Sequence, residues 1–263
     1  MLKLCTFKVA SYATGTKMGE RLLFSAFQFS LLNDIGFIYL TLYREKQQPL
    51  IDLLESFGFK EIGTRKDEVV YGKYTKNNLS SEDIDDKYLY DVTFYPSFKD
   101  TNEVKKFLLP IRPSYHERLF PDCYKAQMSF FKDELSYYTS ESFTIRKSYI
   151  SKKNSRKMAP GDLVLFYRSR DLRSIQVLGF VDDVKYLDNI EDIIDMVKKR
   201  TVYSRSEIEE MLDKSNKLLV INFNVIKYSR SGIGTKFLND IGLNARRSIA
   251  EISDKKYKQI MER

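Results

Sequence analysis

Residues Met158–Asp171 read MAPGDLVLFYRSRD. Pro160, Gly161 and Asp162 are turn residues. Five apolar or aromatic residues follow, Leu163 to Tyr167, a run that fits a buried strand. Downstream, SIQVLGFVDDVKYL (Ser174–Leu187) predicts a strand pair or one bent strand, and KLLVINFNVIKYS (Lys217–Ser229) the longest strand. Upstream, SFTIRKSYI, KKFLLPIRP and YLYDVTFYP are further strand candidates, with SYHERLF as a short helix and QMSFFKDELSYY as another. IEDIIDMVKKR sets Ile190, Ile193, Ile194 and Val197 on one helical face. SRSEIEEMLDK starts with a serine N-cap pattern, and a lysine-rich helix ends the chain. Many short strands around few helices predict a small β-barrel with helical insertions.

The first 77 residues have a different rhythm. TFKVASYATGTKMGERLLFSAF (Thr6–Phe27) takes a strand through a glycine turn into an amphipathic helix. GFIYLTLY is a second strand. PLIDLLESFGF opens on Pro49 and stops at Gly58, as a helix does, and EVVYGKYT is a third strand. Lys76–Lys87 is polar, acidic and free of aromatics, and reads as a linker. The expected organisation is α+β: an amino-terminal α/β sheet layer over 1–77, a linker and entry strand over 78–103, and the barrel over 104–263.

Composition narrows the function. With 43% hydrophobic and 30% charged residues in 263, the chain is globular. No apolar run reaches the roughly 18 residues of a membrane span. Cys5 and Cys123 lie far apart with no metal-like spacing, and no secretion signal follows Met1, which predicts a reduced cytoplasmic protein without a metal site. A single histidine, His116, removes most zinc and Ser-His-Asp schemes, and beside Arg118 and Tyr115 it reads as part of a polar helix face. The net charge of +8 is uneven: about +3 over 1–77, about −5 over 78–103 and about +10 beyond. About nine Lys or Arg against two Asp lie between Arg146 and Arg173, with tyrosines interleaved. That points to a polyanion, most simply RNA or another nucleic acid. The candidate contacts are Arg146, Lys147, Lys152, Lys153, Arg156 and Lys157 for phosphates, with Tyr115, Tyr149 and Tyr167 for stacking. The alternative for SKKNSRK is a solvated turn. Glu207–Glu210 reads as a solvated helix surface, and SGIGTK (Ser231–Lys236) as a loop.

Two resemblances sharpen this. LCTFKV, TGTKMGERLL, FIYLTLY, LIDLLESFGFKEIG and EVVYGKY, in that order, resemble the second half of a GNAT-type N-acetyltransferase. The resemblance implies an acetyl-CoA pyrophosphate site at Gly15, Thr16, Lys17, Met18 and Gly19, where helix-start amides favour an anion, with the Phe7 and Val9 backbone along the pantetheine arm. The sequence departs from that family at Thr14, at Lys17 and at Leu54, which stands where many members carry a proton-donating tyrosine. It also lacks the family's first strands before Met1, which predicts an unpaired sheet edge and one of three situations: the chain is a fragment of a longer protein, a partner chain or second copy covers that edge, or the half-domain is degenerate. The second resemblance, carried by LLPIRPSYHERLF, FTIRKSYISKK, MAPGDLVLFYRSRD and IQVLGFVDDV, is to the PUA-like barrels of the ASCH and EVE group. It implies recognition of RNA or of a modified base. Together they imply either an acetyltransferase acting on or near RNA, or a non-catalytic nucleic-acid binder whose first half is a scaffold or dimer platform.

Overall fold

The Pro-Gly-Asp turn folds as its chemistry requires. Gly161 has φ +77°, and its amide donates to the Val181 carbonyl at 2.9 Å. The buried Asp162 carboxylate accepts from the Ala159 amide at 2.8 Å and from the Lys105 amide at 3.1 Å. One side chain therefore closes the turn and fixes where the neighbouring strand begins.

The computed structural model describes residues 1–9, 15–77, 84–123, 144–152, 157–243 and 248–263. The chain forms two units, Met1–Lys99 and Asp100–Arg263.

The first unit holds β1 (Leu2–Lys3), α1 (Met18–Leu32), β2 (Phe37–Leu42), α2 (Gln48–Ser56), β3 (Lys60–Arg65), β4 (Glu68–Tyr74) and α3 (Lys87–Phe94). Its sheet runs β1-β2-β4-β3, with β1 parallel to β2 and the other pairs antiparallel. Phe27 of α1 centres the core, its ring 6.0 Å from Phe57, 6.2 Å from Phe59 and 4.8 Å from Tyr95. Two expectations are corrected here. The opening strand is limited to Leu2–Lys3. YLYDVTFYP is the helix α3 rather than a strand: its aromatic and β-branched content suggested a strand, but Asp86 caps the segment by accepting from the Leu89 amide at 2.7 Å.

The second unit holds β5 (Lys106–Ile111), α4 (Pro113–Leu119), a single 3-10 turn (Pro121–Cys123), β6 (Arg146–Ser151), β7 (Leu163–Arg168), β8 (Ser174–Leu187), α5 (Ile190–Val197), α6 (Arg205–Asp213), β9 (Leu218–Gly234), α7 (Thr235–Asp240), β10 (Ala250–Ile252) and α8 (Asp254–Met261). The six strands order β10-β5-β7-β8-β9-β6, and β5–β7 is the parallel pair. The bent strand is β8: its ladder with β9 shifts register three times, and each bulge sharpens twist and bend. Gly179 sits at one shift because a Cβ there would lie 2.6 Å from the Asn224 carbonyl oxygen. SGIGTK is the end of β9 and the start of α7, not a loop. Inside the sheet Phe120, Phe166 and Phe223 form a ring cluster with centroids 4.6–6.1 Å apart. A second core buries Ile193 and Val197 of α5 and Ile208 of α6 against Ile150, Leu218 and Val220. That second core docks the α5–α6 pair beside β6, which builds the site below.

Candidate nucleic-acid interface

Where the end of β5, α4, β6 and α6 meet, a cavity of about 350 Å³ opens, lined by Pro110, Arg112, Tyr115, Tyr149, Ser151, Lys152, Tyr203, Glu207, Glu210, Met211 and Lys214 among others. Three tyrosines wall it. Tyr115, on α4, lies with its ring centroid 4.3 Å from that of Tyr203 at an interplanar angle of 33°. Tyr149, on β6, is buried, and its hydroxyl donates to the Pro110 carbonyl at 2.9 Å, joining β6 to β5 across the cavity floor.

The α6 N-terminus holds the wall in place. Ser204 and Glu207 form a reciprocal capping box: the Glu207 amide donates to Ser204 Oγ at 3.2 Å, and the Ser204 amide donates to Glu207 Oε2 at 2.7 Å. Glu207 Oε1 in turn accepts from the Tyr115 hydroxyl at 3.0 Å. One carboxylate thus starts a helix and fixes an aromatic ring. Burial alone would raise the Glu207 carboxyl, but the hydrogen bonds from Ser204 and Tyr115 and the Arg118 charge leave it below the usual range. Burial pushes the Tyr149 hydroxyl up to about 12 and also raises Tyr203 and Tyr115, the latter with help from Glu207. All three rings are therefore neutral at physiological pH. The Tyr203 hydroxyl has no protein partner among the described residues. Arg112, Lys152 and Lys214 put positive charge on the lining, and Glu210 pairs with Lys214.

The structure sorts the residues expected from sequence. Tyr115, Tyr149 and Lys152 meet at the cavity. Lys157 is exposed and lies 3.7 Å from Glu251, and Arg146 is partly exposed. Lys147 is fully enclosed and Tyr167 is 2% exposed, so neither faces an incoming phosphate or base. Strand alternation explains Lys147: it points inward from β6, opposite Phe223 of β9. Lys153 and Arg156 lie outside the described residues. His116 is not on a polar face: it is buried with its ring 5.0 Å from Phe120, and burial together with the Arg168 charge pushes it down to about 3. Within Glu207–Glu210, Glu209 and Glu210 are exposed as a helix surface, Glu209 bonding Arg205 at 2.9 Å and Glu210 sitting at the cavity rim, whereas Glu207 is half-buried and bonds Tyr115. Arg112, Tyr203 and Glu207 were missed. The signal for the last was present in the S-x-x-E spacing of Ser204 and Glu207, which marks a helix start but not what the glutamate touches.

In the first unit the residues matched to acetyl-CoA are spread over several environments. Gly15 (φ +83°) and Lys17 (φ +63°) form the turn into α1, and Lys17 is its N-cap without a side-chain capping bond. Met18 is buried, and Phe7 and Val9 lie beyond β1 in no regular element. Among the described residues there is no cluster of potential metal ligands, and no helix is long and apolar enough to cross a membrane. Cys123 is buried, and burial pushes its thiol up to about 12.

Residues 128–263, just over half of the chain, match the EVE domain family, and the chain belongs to that family. EVE domains are PUA-like and, as a class, bind nucleic acid. The match leaves residues 1–127 uncovered. Among solved structures, the chain is similar to an ASCH protein from Zymomonas mobilis, at 10% identity over 60% of this chain and 94% of that one, with a TM-score of 0.44. A serine-to-alanine variant of that protein aligns at 8% identity over 62% and 98%, with a TM-score of 0.46. No curated protein matches the chain.

Proposed function

We propose that the EVE domain reads a nucleic acid by admitting one flat base into the tyrosine-walled cavity, while Arg112, Lys152 and Lys214 hold the flanking phosphates. The observation that carries this is the aromatic wall: the Tyr115 and Tyr203 rings lie 4.3 Å apart at 33°, with the buried Tyr149 beside them, on a cavity that also carries Arg112, Lys152 and Lys214. The volume sits at the lower end of the range for small-molecule sites, which suits a single base rather than a folded segment. Neutral rings offer a π face to a base, and the cations supply salt-dependent affinity. Glu207 acts as a positioning residue through Tyr115. The test is equilibrium binding of labelled oligonucleotides with unmodified and methylated bases. Tyr203→Ala should lower affinity about tenfold or more and erase any preference between bases. Lys152→Ala with Lys214→Ala should weaken all sequences alike and lower the salt slope. Unchanged binding and preference in Tyr203→Ala would overturn the reading.

A second reading concerns the first unit as an acetyl-CoA-binding, GNAT-like portion. It is supported by the succession β1, glycine turn, α1, β2, α2, β3, β4, which follows the stretches that carry the resemblance. In this reading the Gly15–Lys17 turn and the Lys17 ammonium receive the pyrophosphate. The fit is partial: a Cβ on Gly19 would lie 3.3 Å from Leu53, so that glycine serves helix packing. Leu54 is fully buried and supplies no proton. The reading is thus of binding, since Leu54 fills the position matched to the family's proton donor. Acetyl-CoA at about 100 times its dissociation constant should stabilise the unit by about 2.7 kcal/mol. The absence of a thermal shift at millimolar ligand would leave the first unit as scaffold or partner platform.

A further inference from the structure

Among the described residues, the helices of the first unit pack on one face of its sheet and not on the other. In β2, Phe37, Tyr39 and Thr41 alternate with the buried Ile38, Leu40 and Leu42. The register sets Phe37 opposite Tyr74, Tyr39 opposite Gly72 and Thr41 opposite Val70, so these six share a face. The opposite face carries the helices. Tyr71 donates to Glu55 of α2 at 2.9 Å, the Lys73 ammonium donates to the Thr93 carbonyl of α3, and the hydroxyls of Thr75 and Ser30 of α1 lie 3.5 Å apart.

The open face is aromatic. Phe37 and Tyr39 stack with centroids 6.3 Å apart at 21°, and Phe37 lies 4.8 Å from Tyr74. Gly72 makes the platform possible, since a Cβ there would lie 2.6 Å from Phe37 and 2.8 Å from Ile62. Tyr74 is 45% exposed and Ile62 54%. Cations occupy strand positions of this face: Lys3 is in register with Tyr39, Lys60 with Gly72, and Arg65 with Glu68 at the far end. On the paired strand positions of this face, Glu68 is the acid against these three.

We propose that this face is a second nucleic-acid site, binding a single strand whose bases stack on Phe37, Tyr39 and Tyr74 while Lys3, Lys60 and Arg65 neutralise its phosphates. Flat rings accept the π face of any base, and the charge excess matches a polyanion. A second copy of the same face would set these cations against like charges. Pairing through the neighbouring edge is blunted, because β3 carries charges along its length and shifts register between Glu61 and Gly63.

The test uses the full chain in a Tyr203→Ala background, with a labelled, unmodified RNA of about twelve pyrimidines followed by anisotropy across salt concentrations. Tyr39→Ala with Tyr74→Ala should weaken binding about tenfold or more, whereas Tyr39→Phe with Tyr74→Phe should stay within about twofold of the background. Lys3→Ala, Lys60→Ala and Arg65→Ala together should reduce the salt slope by about two. Thermal melts by circular dichroism show that each variant is folded. Unchanged affinity in the alanine pair overturns the proposal. So does a phenylalanine pair as weak as the alanine pair, or a parent chain that sediments as a dimer which the alanine pair dissociates.

Discussion

Two six-residue strands, FIYLTL in β2 and LVLFYR in β7, look alike as sequence: each is apolar, aromatic-bearing and bounded by turns. In the fold they are opposites. Every other residue of β2 is buried, whereas all six residues of β7 are. The difference comes from what lies on the second face. β7 is a central strand between β5 and β8, with Phe166 in the phenylalanine cluster on one face and the Tyr167 hydroxyl 3.5 Å from that of Thr235 on the other. Among the described residues, β2 has helices on one side only, and its half-buried Phe37 and Tyr39 form an aromatic surface on the other. A short apolar run therefore identifies a strand without saying whether its rings belong to a core or to a binding face.

The comparison can be broken or sharpened by mutation. The largest effect is expected at Phe166, fully buried in β7 between Phe120 and Phe223. Phe166→Ala should cost about 3–5 kcal/mol in denaturant unfolding. Next comes Ser204→Ala, which removes the α6 cap and should cost about 1 kcal/mol while loosening the Glu207–Tyr115 bond at the cavity. A smaller effect is tied to pH. Hydrogen bonds from Arg168 pull the Asp171 carboxyl down to about 2. Because the folded value lies below the unfolded one, near 3.9, this stabilisation is complete above the unfolded value and is lost as pH falls toward 2. Asp171→Asn should flatten that part of the pH–stability curve, and an unaltered slope would show that the ion pair contributes nothing. The smallest effect is expected at Tyr74, where Tyr74→Ala should change stability by about 0.5 kcal/mol. A loss comparable to that of Phe166→Ala would mean that the open face is a core after all.

Much of this was legible in the chain. The Pro-Gly-Asp turn, the long strand from Leu218 as far as Ser229, the helix started by Ser204 and the carboxy-terminal helix all follow from local chemistry. The errors share a cause, which is that local pattern does not report tertiary partners. YLYDVTF has strand composition, but Asp86 caps it into a helix. Lys147 sits in a basic stretch, but alternation on β6 turns it inward. Glu207 looked like helix surface because only the packed α5–α6 pair brings it within reach of Tyr115. The cavity itself was half visible: Tyr115, Tyr149 and Lys152 stood out as an aromatic-basic mixture. Tyr203, far from the others in sequence, joins them only through the fold, and Arg112, three residues before Tyr115, was passed over.

The most direct measurement is photo-crosslinking of the full chain to an oligonucleotide carrying a photoreactive base, followed by mapping of the adducts to residues. The account expects adducts on Tyr115, Tyr149 or Tyr203, lost when excess unlabelled strand competes. A complete map with no competed adduct on any of these three tyrosines would contradict it.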